Sequence, residues 1–467
     1  MSPFGKSTFD LNSGYKHIPI KAQSMLSVLA DRTYRHLFLA QTVALLGTGM
    51  ATVGLGLLAY DLAGEQAAFV LGTVFTIKMV AYVGIAPIAG AFANRWPRRA
   101  MLVSLDLIRA VVALCLPFVT EIWQVYVLIF VLQSASAAFT PTFQATIPDI
   151  LPEDDRYTRA LSLSRLAYDL ENLVSPTLAA ILLTFVSYQV LFYGTVIGFI
   201  GSALLVVSVL LPSPQSTAPR GIYNRTTRGI RIYLATPRLR GLLSLNLAAA
   251  AAGAMVLVNT IILVKSELGL GDTQVAMALG AFGGGSMLAA LSLPRLLDNR
   301  QDRPVMIAGA ACLVILMLLL ALWIAVAGPT WAVLLVGWIA IGVSYSVVLT
   351  PSGRLLKRSA HPDDRPSVYA AQFALSHACW LLTYPLAGWL ITAFSPVAAF
   401  ICLGLVAGAG LIGGVLLWPS EQDHAVEHSH HDLPKDHPHL GGTMTHSHLI
   451  VIDDYHLHWP RAAGADD

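Results

Sequence analysis

Twelve long apolar runs constrain this chain more than any other feature. A hydrocarbon core about 30 Å thick is crossed by roughly 20 apolar residues in a helix. Stretches of that kind lie at roughly 37–60, 67–93, 100–119, 122–146, 162–184, 188–211, 241–264, 273–294, 305–326, 330–350, 367–393 and 396–418. Of the 467 residues, 55% are hydrophobic and 12% charged, whereas a soluble domain carries about 25% charged residues. As buried helices of a soluble protein, these runs would have no polar face to meet water. The expected fold class is therefore an all-α membrane protein. Cys115, Cys312, Cys379 and Cys402 all fall inside apolar runs, which excludes a loop-stapling disulfide framework. The first 35 residues lack the short apolar core and small-residue cleavage site of a signal peptide, so the first membrane helix is expected to drive insertion.

The connections between runs alternate in charge. Arg95, Arg98 and Arg99 follow the second run, and Arg156, Arg159 and Arg165 the fourth. Arg295, Arg300 and Arg303 follow the eighth; Arg354, Lys357, Arg358 and Arg365 follow the tenth. The central connection holds Arg220, Arg225, Arg228, Arg231, Arg238 and Arg240 without one acid, while the opposite loops contain only Lys265. Basic loops stay on the cytoplasmic side, so both termini are expected in the cytoplasm of a multi-pass inner-membrane protein. Net charge is only +2, and the basic residues sit in short loops, which argues against a nucleic-acid partner. The expected organisation is a cytoplasmic segment 1–36, a six-helix bundle 37–211, a basic linker 212–240, a second six-helix bundle 241–418 and a tail 419–467.

The halves repeat one another weakly, as pseudo-symmetric bundles should. Asn94, Arg95, Arg98 and Met101 match Asn299, Arg300, Arg303 and Met306 at an offset of 205. Pro141, Pro152, Arg156 and Pro176 match Pro351, Pro362, Arg365 and Pro385 at offsets of 210, 210, 209 and 209. Each repeated element lies at the inner end of equivalent helices. The run Gly90-Ala91-Phe92-Ala93-Asn94-Arg95-Trp96-Pro97-Arg98-Arg99 resembles the loop 2–3 signature of the major facilitator superfamily. That resemblance implies twelve transmembrane helices in two six-helix bundles that alternate access. It also implies a gating role for Gly90, Asn94, Arg95, Arg98 and Arg99. Asn94 stands where the family has Asp, and Pro97 where it has Gly; a neutral Asn can still hydrogen-bond a helix end or an arginine. The stretch from Phe139-Thr140-Pro141 to Leu151-Pro152 is similar to the efflux branch of that superfamily, which includes drug and siderophore exporters.

Ionisable groups at membrane depth cost roughly 2.5–3.5 kcal/mol each on insertion scales and invite functional readings. Asp106 and Arg109 are three apart on one helix face; they read as a structural brace or as part of the transport path. Asp169 and Glu171 either carry a coupling proton or project to the inner interface. Lys78, deep in the second run, suits a counter-ion to one of those acids or a contact for an anionic cargo. His377 reads as a metal ligand, a proton carrier or a packing residue. Gly280, Gly283, Gly284 and Gly285 suit close helix contact. The second half has no acid within a span, so coupling through a carboxylate must use the first.

Beyond Pro419 the composition turns polar, and ten of the fourteen histidines fall in the last 49 residues. They are His424, His428, His430, His431, His437, His439, His446, His448, His456 and His458, with four His-x-His units among them. Residues two apart share a side of an extended chain, so each unit can offer two imidazoles to one ion, and neutral imidazole suits nickel, cobalt, copper and zinc. Glu421, Asp423, Glu427, Asp432 and Asp436 add oxygen ligands, and Met444 is the one sulfur, which weakens a cuprous reading. A hairpin between Leu449 and Trp459 is expected. No Walker motif, nucleophile elbow or metalloprotease pattern is present, so the chain is not expected to be an enzyme or to need a cofactor. An efflux-type facilitator with such a tail resembles the bacterial nickel-resistance exporters of the NreB type. That resemblance implies proton-coupled export of nickel, and of cobalt as a second cargo, with metal as both substrate and tail ligand. The rival expectation is an exporter of a siderophore or other organic compound with a metal-sensing tail.

Overall fold

The computed structural model describes residues 25–92, 97–212, 222–297, 301–360, 364–420, 426–429, 445–448, 451–452 and 459. The first half consists of α1 (Arg32–Ala63), α2 (Ala67–Phe92), α3 (Arg98–Cys115), α4 (Ile122–Ile150), α5 (Asp154–Leu182) and α6 (Gln189–Val207). A helix α7 (Ile222–Ala235) occupies the central connection. The second half follows as α8 (Pro237–Ile262), α9 (Asp272–Leu297), α10 (Asp302–Ala327), α11 (Trp331–Leu349), a short α12 (Ser352–Arg358), α13 (Arg365–Ala393) and α14 (Pro396–Leu417). At a 1.5 Å rise per residue, a helix of 26 residues such as α2 or α8 spans roughly 39 Å, ample for the hydrocarbon core. The chain is a multi-pass membrane protein, and its described residues form twelve long helices in the expected two bundles. Ten segments among the described residues qualify as spans by length and apolarity, the first of which, Arg32–Ile85, includes both α1 and α2. The fifth helix is not among them: α5 carries Asp169, Glu171 and Asn172 on its middle turns.

Local chemistry sets the helix ends. Asp31 caps α1 by accepting from the Tyr34 amide at 2.9 Å. Gln124 closes the start of α4 by accepting from the amides of Thr120 and Glu121 at 2.9 and 3.2 Å. Ser395 caps α14 ahead of Pro396, where proline's missing amide costs nothing. Several helices outrun their apolar windows. α5 begins at Asp154 rather than near 162, so Asp169 and Glu171 lie halfway along it, not near its basic end. α8 begins at Pro237 rather than near 241.

The halves mirror one another. α1 packs on α6 as α8 packs on α14, and α2 packs on α4 as α9 packs on α11. Pro176 and Pro385, matched in the repeat, both lie inside their helices, α5 and α13, towards the far end and not at the inner end as expected. The pair Pro141 and Pro351 diverges: α4 runs through Pro141, whereas the chain breaks between α11 and α12 at Pro351. Gly285 meets the Ile339 carbonyl so closely that no Cβ would fit, which bears out close contact at that glycine.

The central connection is more than a strand of basic residues. α7 lies along α13, with Gly229 against the Ser367 carbonyl. Arg228 donates to both carboxylate oxygens of Asp364 at 2.6 and 2.9 Å. The Tyr233 hydroxyl bonds Gln372 Oε1, and burial pushes that phenol above its ordinary range.

In the tail, strands β1 (Val426–Ser429) and β2 (Thr445–His448) pair antiparallel, with Val426 opposite His448 and His428 opposite His446. The expected hairpin between Leu449 and Trp459 falls mostly outside the described residues. Of that stretch only Val451, Ile452 and Trp459 are described, and none is in a strand. The alternating Val-x-His and Thr-His-Ser-His segments supply the pairing of β1 with β2.

Candidate functional site

Two ends of the bundle are distinct. The basic end carries the arginine-rich connections and the tail; the far end carries the short loops. At the far end the halves are closed upon each other. Lys265 Nζ, just beyond α8, lies 4.7 Å from the centroid of the Tyr60 ring on α1. Ser266 Oγ donates to the Tyr60 hydroxyl at 3.4 Å, and Lys265 is held by Asp272 at 2.6 Å. α2 and α13 approach at Gly72, where an added Cβ would sit 2.7 Å from the Tyr384 carbonyl, and at Gly388, which abuts the Ala68 carbonyl. Gly280 of α9 faces Thr177 and Pro176 of α5. Three helix pairs therefore zip the far end.

Deeper along α2 and α13 the contact between halves becomes aromatic. Tyr82 stacks on His377 with centroids 5.4 Å apart and planes 3° apart, and it lies 5.9 Å from Phe373. His377 Nδ1 is 2.6 Å from the Phe373 carbonyl one turn back. Phe75 meets Tyr384 at 4.8 Å, Tyr384 meets Trp380 at 4.9 Å, and Tyr345 bridges Trp380 to Phe282. Lys78 Nζ is 5.8 Å from the Tyr82 ring. It lines a small pocket with Thr48, Thr52 and Gln133. Lys78 and His377, separate in sequence, are thus both brought to Tyr82.

Asp106 and Arg109 are brought together but belong to another place. They form an ion pair on α3, and Ser202 of α6 donates to the second Asp106 oxygen at 2.7 Å. The Arg109 guanidinium lies near the rings of Phe139 and Phe199, at 4.2 and 4.5 Å. Both residues are buried, and every partner named lies in the first half. Cation–π contact and the pair itself make the charge tolerable at depth.

At the basic end each half has its own clamp. Arg98, which opens α3, pairs with Asp149 near the end of α4, and Arg99 donates to the Val207 carbonyl. In the second half the polarity is reversed. Asp302, fully buried in the first turn of α10, receives Arg354 and Arg358 of α12. Corresponding helix ends are thus held together with acid and base exchanged, Asp302 standing one residue before Arg303, the repeat partner of Arg98. The Asp302 cluster was missed from sequence, although an acid at the basic end beside a repeat position was the signal. Of the other gating residues, Gly90 lies in the last turns of α2, and Asn94 and Arg95 lie outside the described residues.

Asp169 and Glu171 lie on α5. Of the tail histidines, His428 lies in β1 and His446 and His448 in β2; His424, His430, His431, His437, His439, His456 and His458 lie outside the described residues. Among the described residues, no group of three or more His, Cys, Asp or Glu is gathered as a metal would require.

The Major Facilitator Superfamily profile matches residues 37–245 and again 242–450. The chain belongs to the Major Facilitator Superfamily. An uncharacterized MFS-type transporter of Bacillus subtilis, YvqJ, is 23% identical over 82% of this chain and 92% of its own length. The chloramphenicol resistance protein of Streptomyces lividans is 27% identical over 58% of this chain and 69% of its own. The macrolide efflux protein A of Streptococcus pyogenes is 25% identical over 31% of this chain, and the match spans 37% of that protein. Another Bacillus subtilis transporter of this type, YfiS, matches over 29% of its length. Among solved structures, a single-residue mutant of the nucleoside transporter NupG superposes with a TM-score of 0.64 at 14% identity, covering 82% of this chain and 98% of that one. A bacterial homolog of the human lysosomal transporter Spinster, inward-facing and unoccupied, gives 0.62 at 12% identity, covering 82% and 94%. The chain is a membrane transporter and not an enzyme.

Proposed function

We propose that this transporter exports a divalent transition-metal ion from the bacterial cytoplasm, nickel first and cobalt next, in exchange for protons. The observation that carries the reading is the tail, with ten histidines in 49 residues and four His-x-His units. Imidazole at that density selects borderline divalent ions over magnesium or calcium. The positive-inside pattern of the loops puts the basic end and both termini in the cytoplasm, where a metal-collecting tail serves efflux. The name of the macrolide efflux relatives favours the same direction. Alternating access follows from two bundles that rock about the contacts between α2 and α13. Asp106, Asp169 and Glu171 are the acids available within the spans for proton exchange. Asp106 is committed to Arg109 and Ser202, so the exchange is assigned to Asp169 and Glu171.

A second reading has its own support. The contact between halves is rich in aromatic rings, with Lys78 beside Tyr82. Such a surface suits an amphipathic or anionic organic cargo, and two of the relatives are named for macrolides and chloramphenicol. In that case the tail senses metal and the cargo is a chelator or drug. Expression in a metal-sensitive bacterium separates the two. The first reading expects intracellular nickel or cobalt to fall severalfold. Unchanged metal content together with altered export of an organic compound would overturn it.

A further inference from the structure

The tail returns to the membrane domain. Ile452 is 5% exposed and belongs to the main hydrophobic cluster of the membrane domain. Trp459 packs against the same cluster, and the Arg238 guanidinium lies 5.6 Å from the centroid of its ring. Arg238 is buried in the first turn of α8. It donates to Ser359 Oγ at 2.8 Å and to the Arg358 carbonyl at 3.0 Å. One arginine therefore joins the start of α8, the end of α12 and the tail. Arg358 in turn holds Asp302 at the start of α10. The docking point is thus part of the clamp that ties the basic end of the second half.

The strands of the tail stand just upstream. His448 ends β2 four residues before Ile452, and His446 is the register partner of His428. Register partners, and residues two apart on one strand, share a face of a ribbon. The register thus pairs His428 with His446, and His448 stands two residues further along β2, within a short chain distance of the docked residues.

We propose that metal binding by this ribbon and docking of Ile452 and Trp459 are coupled, so that the tail tightens as a clasp on α8 and α12 when metal is bound. The inference rests on the metal reading of the tail given above. Ordering a chain segment has a backbone entropy cost that falls on every residue fixed. A docked Ile452 restricts β2 before metal arrives, and a metal-tied ribbon restricts Ile452 before it docks. Each event lowers the entropic cost of the other, and such coupling is reciprocal. The metal occupancy of the tail is thereby read at the helix ends that must move when the second half rocks.

The test uses the full chain in lipid nanodiscs with nickel as the probe. Nickel binding is followed by calorimetry, and amide hydrogen exchange is followed in peptides spanning 236–242 and 352–360. Nickel is expected to slow exchange in both peptides severalfold. Trp459→Ala is expected to abolish that slowing and to weaken nickel binding about five- to tenfold, within the usual span of coupling; Trp459→Phe should restore most of both. Nickel bound by the wild-type chain with no change in exchange, or bound equally well by Trp459→Ala, overturns the clasp and leaves the metal reading standing. A wild-type chain that binds no nickel overturns the metal reading and the clasp with it.

Discussion

At the scale of single residues, the charges buried in the first half divide into a brace and a candidate site. Arg109 is held by Asp106 and by the faces of Phe139 and Phe199. Asp106→Ala would strand that guanidinium, and breaking a buried pair costs about 3–5 kcal/mol. The expected outcome is a large loss of thermal stability in detergent, read by fluorescence-detected gel filtration. A variant as stable as wild type but inactive would instead put the pair on the transport path. His377 is placed by packing, with Nδ1 turned to its own helix and its ring flat on Tyr82. His377→Phe should therefore keep transport within about threefold, since an aromatic ring preserves the stack; a loss of tenfold or more would make the imidazole a ligand or proton carrier. The spacing of Asp106 and Arg109 made their pairing legible in the sequence. Ser202, Phe139 and Phe199 come from other helices, and nothing local announces which rings will flank an arginine.

At the scale of helices, the bilayer made the architecture readable. A fixed hydrocarbon thickness imposes a length on every span, and arginines mark one side. Where that ruler did not apply, the reading failed. α7 is too polar and too short to register as a span, yet it is tied to α13 through Arg228, Tyr233 and Gly229. α5 extends well beyond its apolar window because its first turns are stabilised by tertiary contact rather than lipid, with Tyr34 donating to the Ala160 carbonyl at 2.9 Å. The close approach of α2 and α13 depends on glycines whose partners are distant in sequence. Gly72→Val should hold these helices apart, because Cβ and its methyls would meet the Tyr384 backbone, which cannot yield as a side chain can. The expected result is a properly inserted protein with transport reduced at least tenfold and greater labelling of the far end by impermeant thiol reagents at an introduced cysteine. Wild-type transport in Gly72→Val would remove the far-end seal from the transport cycle.

At the scale of the whole molecule, two pseudo-symmetric bundles, clamped separately at the basic end and zipped together at the far end, form a carrier closed on one side. Because the Arg98–Asp149 and Asp302–Arg354 clamps each lie within one half, each half keeps its basic end intact while the halves part there. The tail is an addition to this machine, legible in the sequence by composition, whereas its return to Arg238 was not, because one tryptophan and one isoleucine carry no periodic signal. If the tail collects metal, deleting 419–467 should raise the concentration needed for half-maximal transport about tenfold and leave the maximal rate within a factor of two, since all twelve long helices remain although the Ile452 and Trp459 contacts are lost. A total loss of transport would make the tail a gate. The most direct test of the central claim is uptake by proteoliposomes of purified protein, under an imposed proton gradient, across a panel of nickel, cobalt, zinc and organic efflux substrates. The account predicts proton-driven movement of nickel, with cobalt weaker and the organic compounds inert; movement of an organic compound with no movement of any metal would contradict it.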